Sequence, residues 1–284
     1  MRKTVLCCCL FGGWLGFVLT GTADDAASFL ETRPTRVFAP GRDVASNVVE
    51  AITGDVNVQV NDTAQHGGLV TLAARNDYRG TTYVKSGMLT VDGIGRAPEP
   101  SNAGLAGDVI IGNGTFRFTG AEGVTDRDFI FLPDAALANA PGVVEVAEGG
   151  TLRVEGRVTG ANDGAACFAK SGAGTLVIAT RTPGAVNRFR HNSNTLGTAI
   201  ALPANGDSPQ VGVSCFNVIA GRVVLDLPAG VTNSFNSEVM VGGRAPTPKG
   251  AHLEVRGGVN LFHGWCAVAR SSGDATTDPD NGDA

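Results

Sequence analysis

The sequence predicts an all-β fold: short parallel strands wound into a β-helix (a β-solenoid) and stacked edge to edge. Three observations carry this. Leu69–Gly93 (LVTLAARNDYRGTTYVKSGMLTVDG) holds three short apolar/polar alternating runs, LVTLA, the stretch around Thr81–Val84, and GMLTV, separated by Asn, Asp and Gly. Alternation of period two is how a strand presents one row of side chains to a core and the other to solvent, and three runs in so short a unit describe a chain that goes round. A glycine followed by an alternating apolar strand then recurs at Gly87 (GMLTVDG), Gly114 (GTFRFTG), Gly150 (GTLRVEG), Gly174 (GTLVIAT), Gly221 (GRVVLDL) and Gly250 (GAHLEVRG). Uneven intervals of this kind are what stacked coils with loop insertions produce. Finally, the chain has 40 glycines and 17% charged residues but 43% hydrophobic residues, which excludes disorder, while the lack of a G-X-Y period excludes collagen.

A single GTLRV-type strand offers two or three inward apolar side chains, too few to offset the chain entropy of a free coil. Stacked in register, each strand gains a parallel ladder, and like side chains (Leu89, Phe116, Leu152, Leu176) line up inside. Glycines at strand starts permit the crowded or positive-φ geometry of corners. By the same register Leu176 points inward and Val177 outward. At roughly 25–30 residues per turn the chain holds about eight or nine coils, a rod of roughly 40 Å at about 4.8 Å per coil.

In chain order, residues 1–23 read as a Sec signal peptide: Met1-Arg2-Lys3, an apolar stretch from Val5 to Leu19, and small residues Thr20–Ala23 before Asp24-Asp25. Cys7, Cys8 and Cys9 then belong to its apolar core, and no membrane span is expected in the mature chain. Residues 24–42, with Pro34 and Pro40, read as an extended leader, and residues 43–284 as the β-helix. Asp55–Asn61 alternates cleanly. Arg96–Gly107 and Arg181–Val213 read as protruding loops, the second a long insertion between a strand opening at Lys170-Ser171-Gly172-Ala173-Gly174-Thr175-Leu176 and its closing half at Phe216–Val223. Pro133–Ala140 is expected to make one helical turn at most. Asp274–Ala284 is an acidic loop with no capping strand after it, so the chain reads as a fragment of a longer protein.

The Leu69–Gly93 unit resembles the autotransporter-associated β-strand repeat of bacterial surface proteins, with Asn76, Tyr78, Gly80, Thr82, Val84, Gly87 and Leu89 on its pattern. One residue is missing beside Gly80, where that repeat has two glycines. The Lys170–Leu176 segment resembles the opening of a second unit, without the Asn and Tyr that should follow. The resemblance, with the general handedness of parallel crossovers, implies a right-handed β-helix. It also implies a passenger-like role: a rigid spacer, adhesin or contact surface, exported through Sec and exposed on or released from a bacterium with an outer membrane, facing an unknown surface ligand such as a glycan or a neighbouring cell surface. The C-terminal barrel that many such proteins carry has no counterpart here.

The chemistry legible in the sequence is thin. A net charge of −5, more negative once Arg2 and Lys3 leave with the signal, disfavours nucleic acid. Asp126 and Asp128, with Arg127 between them, are the nearest thing to an acid–base pair, the basis for an alternative reading as a polysaccharide lyase or glycoside hydrolase on a β-helix scaffold. His263-Gly264 is too short a motif to support it. His66, His191, His252 and His263 form no paired-ligand spacing, and Asp278–Asp283 lacks the order of a calcium loop. Cys167, Cys215 and Cys266 leave room for one disulfide without saying which. Asn76 and Tyr78, as repeat positions, are read as structural. No catalytic, cofactor-binding or metal-binding residues are assigned and no cofactor is expected.

Overall fold

The computed structural model describes residues 33–62, 67–132, 142–160, 168–189, 200–201, 210–211, 216–235, 239–242, 250–263 and 266–268. The signal segment, His66, Pro133–Ala140, His191, Cys167, Cys215, Gly264 and Asp274–Ala284 lie outside them. Within the described residues the chain is all-β, with parallel strands in stacked sheets. The first face begins with Thr35–Phe38, Asn57–Val60, Thr82–Val84, Val109–Ile111, Phe129–Phe131 and Val158–Gly160. Val186–Phe189, which packs beside Val158–Gly160, continues it through Thr232–Phe235 to Val259–Phe262. The second face runs Ala45–Val48, Leu69–Leu72, Met88–Val91, Thr115–Phe118, Gly142–Val146, Phe168–Ser171, Phe216–Val218, Val239–Val241, Cys266–Val268. A third face enters at Glu122–Thr125 and continues through Thr151–Val154, Thr175–Ile178, Arg222–Leu225 and His252–Val255. Up to Phe118 the strands alternate between first and second face; from Glu122 on the chain visits third, first and second face in turn.

Why these residues form these elements follows from the registers. On the second face Val70, Leu89, Phe116 and Val144 form one buried column. On the third, Leu152, Leu176 and Val223 form another. The line expected of Leu89, Phe116, Leu152 and Leu176 is therefore two lines on two faces, because the glycine-strand motif opens strands on both. The step from Gly114 to Gly150 is long since it crosses from second face to third.

Other boundaries shift for identifiable reasons. The ladder begins at Thr35, inside the segment read as leader, since Asn57 N reaches Pro34 O at 2.8 Å and Thr35–Phe38 pairs with Asn57–Val60. The insertion starts later than Arg181: Val186–Phe189 is a strand of the first face, with Asn187 and Phe189 fully buried. Between Phe189 and Phe216 the described residues show a short antiparallel pair, Ile200–Ala201 with Gln210–Val211. Arg96–Gly107 protrudes only in its first half, because Ser101, Asn102 and Ala103 are buried and Asn102 Nδ2 donates to Leu72 O at 2.7 Å. Val177 faces outward, but at 8% exposure it is not a solvent position; it clusters with Ala179 and Val224.

Phenylalanines gather around the insertion. Phe168 stacks on Phe216 at 4.7 Å, Phe189 meets Phe216 edge-on at 4.8 Å, and Phe189, Phe235 and Phe262 stack at 5.1 and 4.7 Å. Offset and edge-on ring pairs at these separations add to the burial of apolar area. Beside the stack, Asn187 Nδ2 donates to Asn233 Oδ1 and Asn233 Nδ2 to Asn260 Oδ1, both at 2.8 Å.

Phe235→Ala should cost about 3–5 kcal/mol as a large-to-small change between two rings. Phe262→Ala, at a ring 43% exposed, should cost far less; both are read by urea denaturation. Leu176→Asp should unfold or fray the stack, and Val177→Asp should also destabilise, by less, since its side chain is itself buried.

Candidate functional site

The repeat residues are absorbed by structure. Asn76 is buried between coils, its Oδ1 accepting from Ile52 N at 2.8 Å and its Nδ2 donating to Asn102 O at 2.6 Å. Tyr78 is fully buried, its hydroxyl 2.7 Å from Thr82 Oγ1, and burial pushes it up to about 12, partly opposed by Thr82 and Arg127. It is no stacking platform for a sugar. Gly104 (φ +85°) lies where a side chain would strike the Tyr78 ring, and Gly87 (φ +65°) turns the corner against Gly68 and the Asn61 amide, so each needs glycine.

The sequence candidates Asp126, Arg127 and Asp128 do not converge. Asp126 is exposed and accepts from Ala97 N of the preceding coil at 2.9 Å. Asp128 is clamped by Arg157 of the following coil, from the backbone N at 2.7 Å and Nε at 2.8 Å. Arg127 turns inward instead, its guanidinium capping the carbonyls of Ala103 and Gly104. Burial lowers its proton affinity, with Tyr78, Asp126 and Asp108 acting the other way. The sequence missed Asp108, on the coil before Asp128. Its pKa is raised, first by burial and then by the Asp128 charge.

Two buried ionic groups escaped the sequence reading. Lys170 occupies the second-face column between Val144 and Val218, fully buried. Its Nζ donates to the carbonyls of Gly172, of Gly174 at 2.7 Å, and of Ala220 on the next coil at 2.8 Å. The K-x-G-x-G spacing was the available signal: the lysine binds the two corner carbonyls that follow it. Burial pulls this ammonium down to about 7, with Glu145 acting weakly the other way. On the third face Glu155 is buried beneath three arginines, with Arg96 Nε at 2.9 Å, Arg181 Nη2 at 2.8 Å and Arg153 Nε at 3.2 Å. Hydrogen bonding from Arg96 is the main cause holding its carboxyl below the usual range. Arg153 also reaches Asp226, two coils along, at 2.8 Å. Its side chain crosses the strand Thr175–Ile178, beside Val177 and Ala179.

Among the described residues no group of three or more His, Cys, Asp or Glu could hold a metal, and no helix is long and apolar enough to cross a membrane. His252 and His263 are exposed, and Cys266 is free and exposed.

The chain is 29% identical over 210 residues, 67% of its length, to Adhesin BmaC autotransporter of Brucella suis biovar 1 (strain 1330). It spans 6% of the length of that curated relative. No family model matches the chain, and no solved structure matches it significantly. The match supports an autotransporter-like relationship.

Lys170→Met should destabilise the fold by leaving three buried carbonyls without a donor. The native lysine binds fewer protons than the unfolded one between about 7 and its ordinary value of 10.5. Stability should therefore rise with pH across that window and be indifferent to this group below it. Denaturant melts from pH 6 to 10 should show the rise in the native chain and lose it in Lys170→Met.

Proposed function

We propose that residues 43–284 form a right-handed parallel β-helix, continuing into the strand at Thr35–Phe38, that acts without catalysis as a rigid display scaffold of the adhesin-like passenger kind. The observation that carries this is the stack itself: three faces of parallel strands with continuous interior columns, in a chain similar to an autotransporter adhesin. A solenoid of this type is quasi-one-dimensional, so it extends a surface without altering its core. Insertions such as the one between Phe189 and Phe216 are the natural place for contacts. Residues 1–23 direct export through Sec and are cleaved off, and the mature chain is secreted or held on the surface of a bacterium with an outer membrane, its partner a ligand of a neighbouring or host cell surface.

A second reading, a polysaccharide-degrading enzyme, is favoured by one observation: Asp108, with raised proton affinity, lies next to Asp128, which Arg157 clamps. A carboxyl held toward its protonated form by burial and by a neighbouring carboxylate is a feature that acid–base catalysis uses.

One experiment separates the two. Beads coated with residues 24–284 should adhere saturably to cultured cells, and the soluble chain should leave a glycan panel uncleaved. Replacing residues 191–213 with a short Gly/Ser linker should reduce adhesion while leaving the melting transition in place, since Phe189 and Phe216 hold the two ends together. Glycan turnover abolished by Asp128→Asn would overturn the scaffold reading.

A further inference from the structure

The Glu155 cluster has a form that stabilisation alone does not require. One buried carboxylate collects a guanidinium from its own strand (Arg153), one from the next stretch of the third side (Arg181) and one from two stretches back (Arg96, across Asp126), yet the Arg96 and Arg181 side chains remain 49% and 61% exposed. Each gives a single guanidinium nitrogen to Glu155, and the other guanidinium nitrogens of both make no hydrogen bond among the described residues. A guanidinium carries five donors in a planar fork, so most of the donor capacity of both is turned toward solvent. Because both bind the same carboxylate, at 2.9 and 2.8 Å, the two forks are also held at a fixed separation. Long flexible side chains are thereby oriented before any ligand arrives, which removes part of the ordering cost of binding.

We propose that Arg96 and Arg181, positioned by Glu155, bind a glycan that bears carboxylate groups. This rests on the display reading above, of which it names the ligand class. The chemistry selects it in two ways. The guanidinium fork matches a carboxylate bidentately. The arginines also alternate with acids: Asp126, fixed by Ala97 N, lies on the Arg96 side, and Asp226, fixed by Arg153, lies beyond Glu155. That alternation repels a dense polyanion such as nucleic acid or polyphosphate. It accepts a uronic-acid chain, in which each carboxylate is set apart by sugar hydroxyls that can donate to Asp126 and Asp226.

The test is titration calorimetry of residues 24–284 with hyaluronan oligosaccharides, carboxyl-reduced hyaluronan and free glucuronate. Saturable binding to hyaluronan is expected, weakening as salt rises and lost on carboxyl reduction. Arg96→Gln and Arg181→Gln should each weaken it roughly tenfold, the order expected for losing a charge-assisted hydrogen bond. Arg33→Gln, which breaks an exposed pair with Asp55 on the first coil, should change nothing. Both positions are half-exposed, so unchanged melting curves will show that the variants fold. No binding, equal binding of the carboxyl-reduced chain, or full binding by the double variant would overturn the proposal. Free glucuronate binding as tightly as the oligosaccharide would do so too, since the hydroxyl contacts would then be idle. Solution binding lost with cell adhesion intact would count against this site alone; adhesion lost with solution binding intact would count against the display reading alone.

Discussion

Everything in this molecule depends on the register of the parallel ladder between one coil and the next. No strand described is longer than five residues, and on the three faces each pairs only with strands a full circuit away. The stability of any turn is therefore held by its neighbours. A slip of one residue would send Leu89, Phe116 and Val144 outward and Thr90, Arg117 and Glu145 inward. Buried asparagines guard against the slip at the corners. Asn61, Asn76 and Asn102 each bond backbone carbonyls of an adjoining coil, and these bonds exist in one register only.

Ring stacks and buried polar bonds flank the long segment between Phe189 and Phe216. Between Phe189 and Phe216 the chain leaves the ladder and returns. Around that departure lie the Phe168–Phe216 and Phe189–Phe235 stacks, the Asn187–Asn233 hydrogen bond, and Lys170 reaching Ala220 fifty residues on. Long loops add little closure entropy per added residue, but they leave two coils to find one another without a tight corner to direct them. Rings and an amide ladder supply the direction.

The sequence made the strands, their parallel stacking and the structural use of Asn76 legible, because period-two alternation and glycine punctuation are local. It also showed the Lys170–Gly172–Gly174 spacing without disclosing that the lysine is interior; a lysine at an inward position looks like an outward one until the corner carbonyls are seen. Ser101–Ala103 read as loop because its polar, small-residue composition is that of a loop; bonds to Asn76 and Leu72 on one side and the cap from Arg127 on the other make it core. The Glu155 cluster was illegible since its partners Arg96 and Asp226 lie on other coils, and charges that far apart carry no pattern in one dimension. Asp126 and Asp128 looked paired at i, i+2, yet neighbouring coils draw them opposite ways.

Lys170 and Glu155 pose the same problem, a charge removed from water, and their different solutions separate the interior of the stack from its surface. The ammonium is met by three backbone carbonyls, dipoles that belong to the fold and cannot be redirected, so Lys170 can act only as a weld. The carboxylate is met by side chains that are themselves half-exposed, so its satisfaction leaves donors available at the surface. Exposed ion pairs contribute at most about 1 kcal/mol each, too little to explain three arginines on one acid as a stabilising device when a single pair and a valine ladder would serve. A stack whose columns secure the core is free to vary its outer rows, and the third face alternates arginine with acid beside the outward cluster of Val177, Ala179 and Val224.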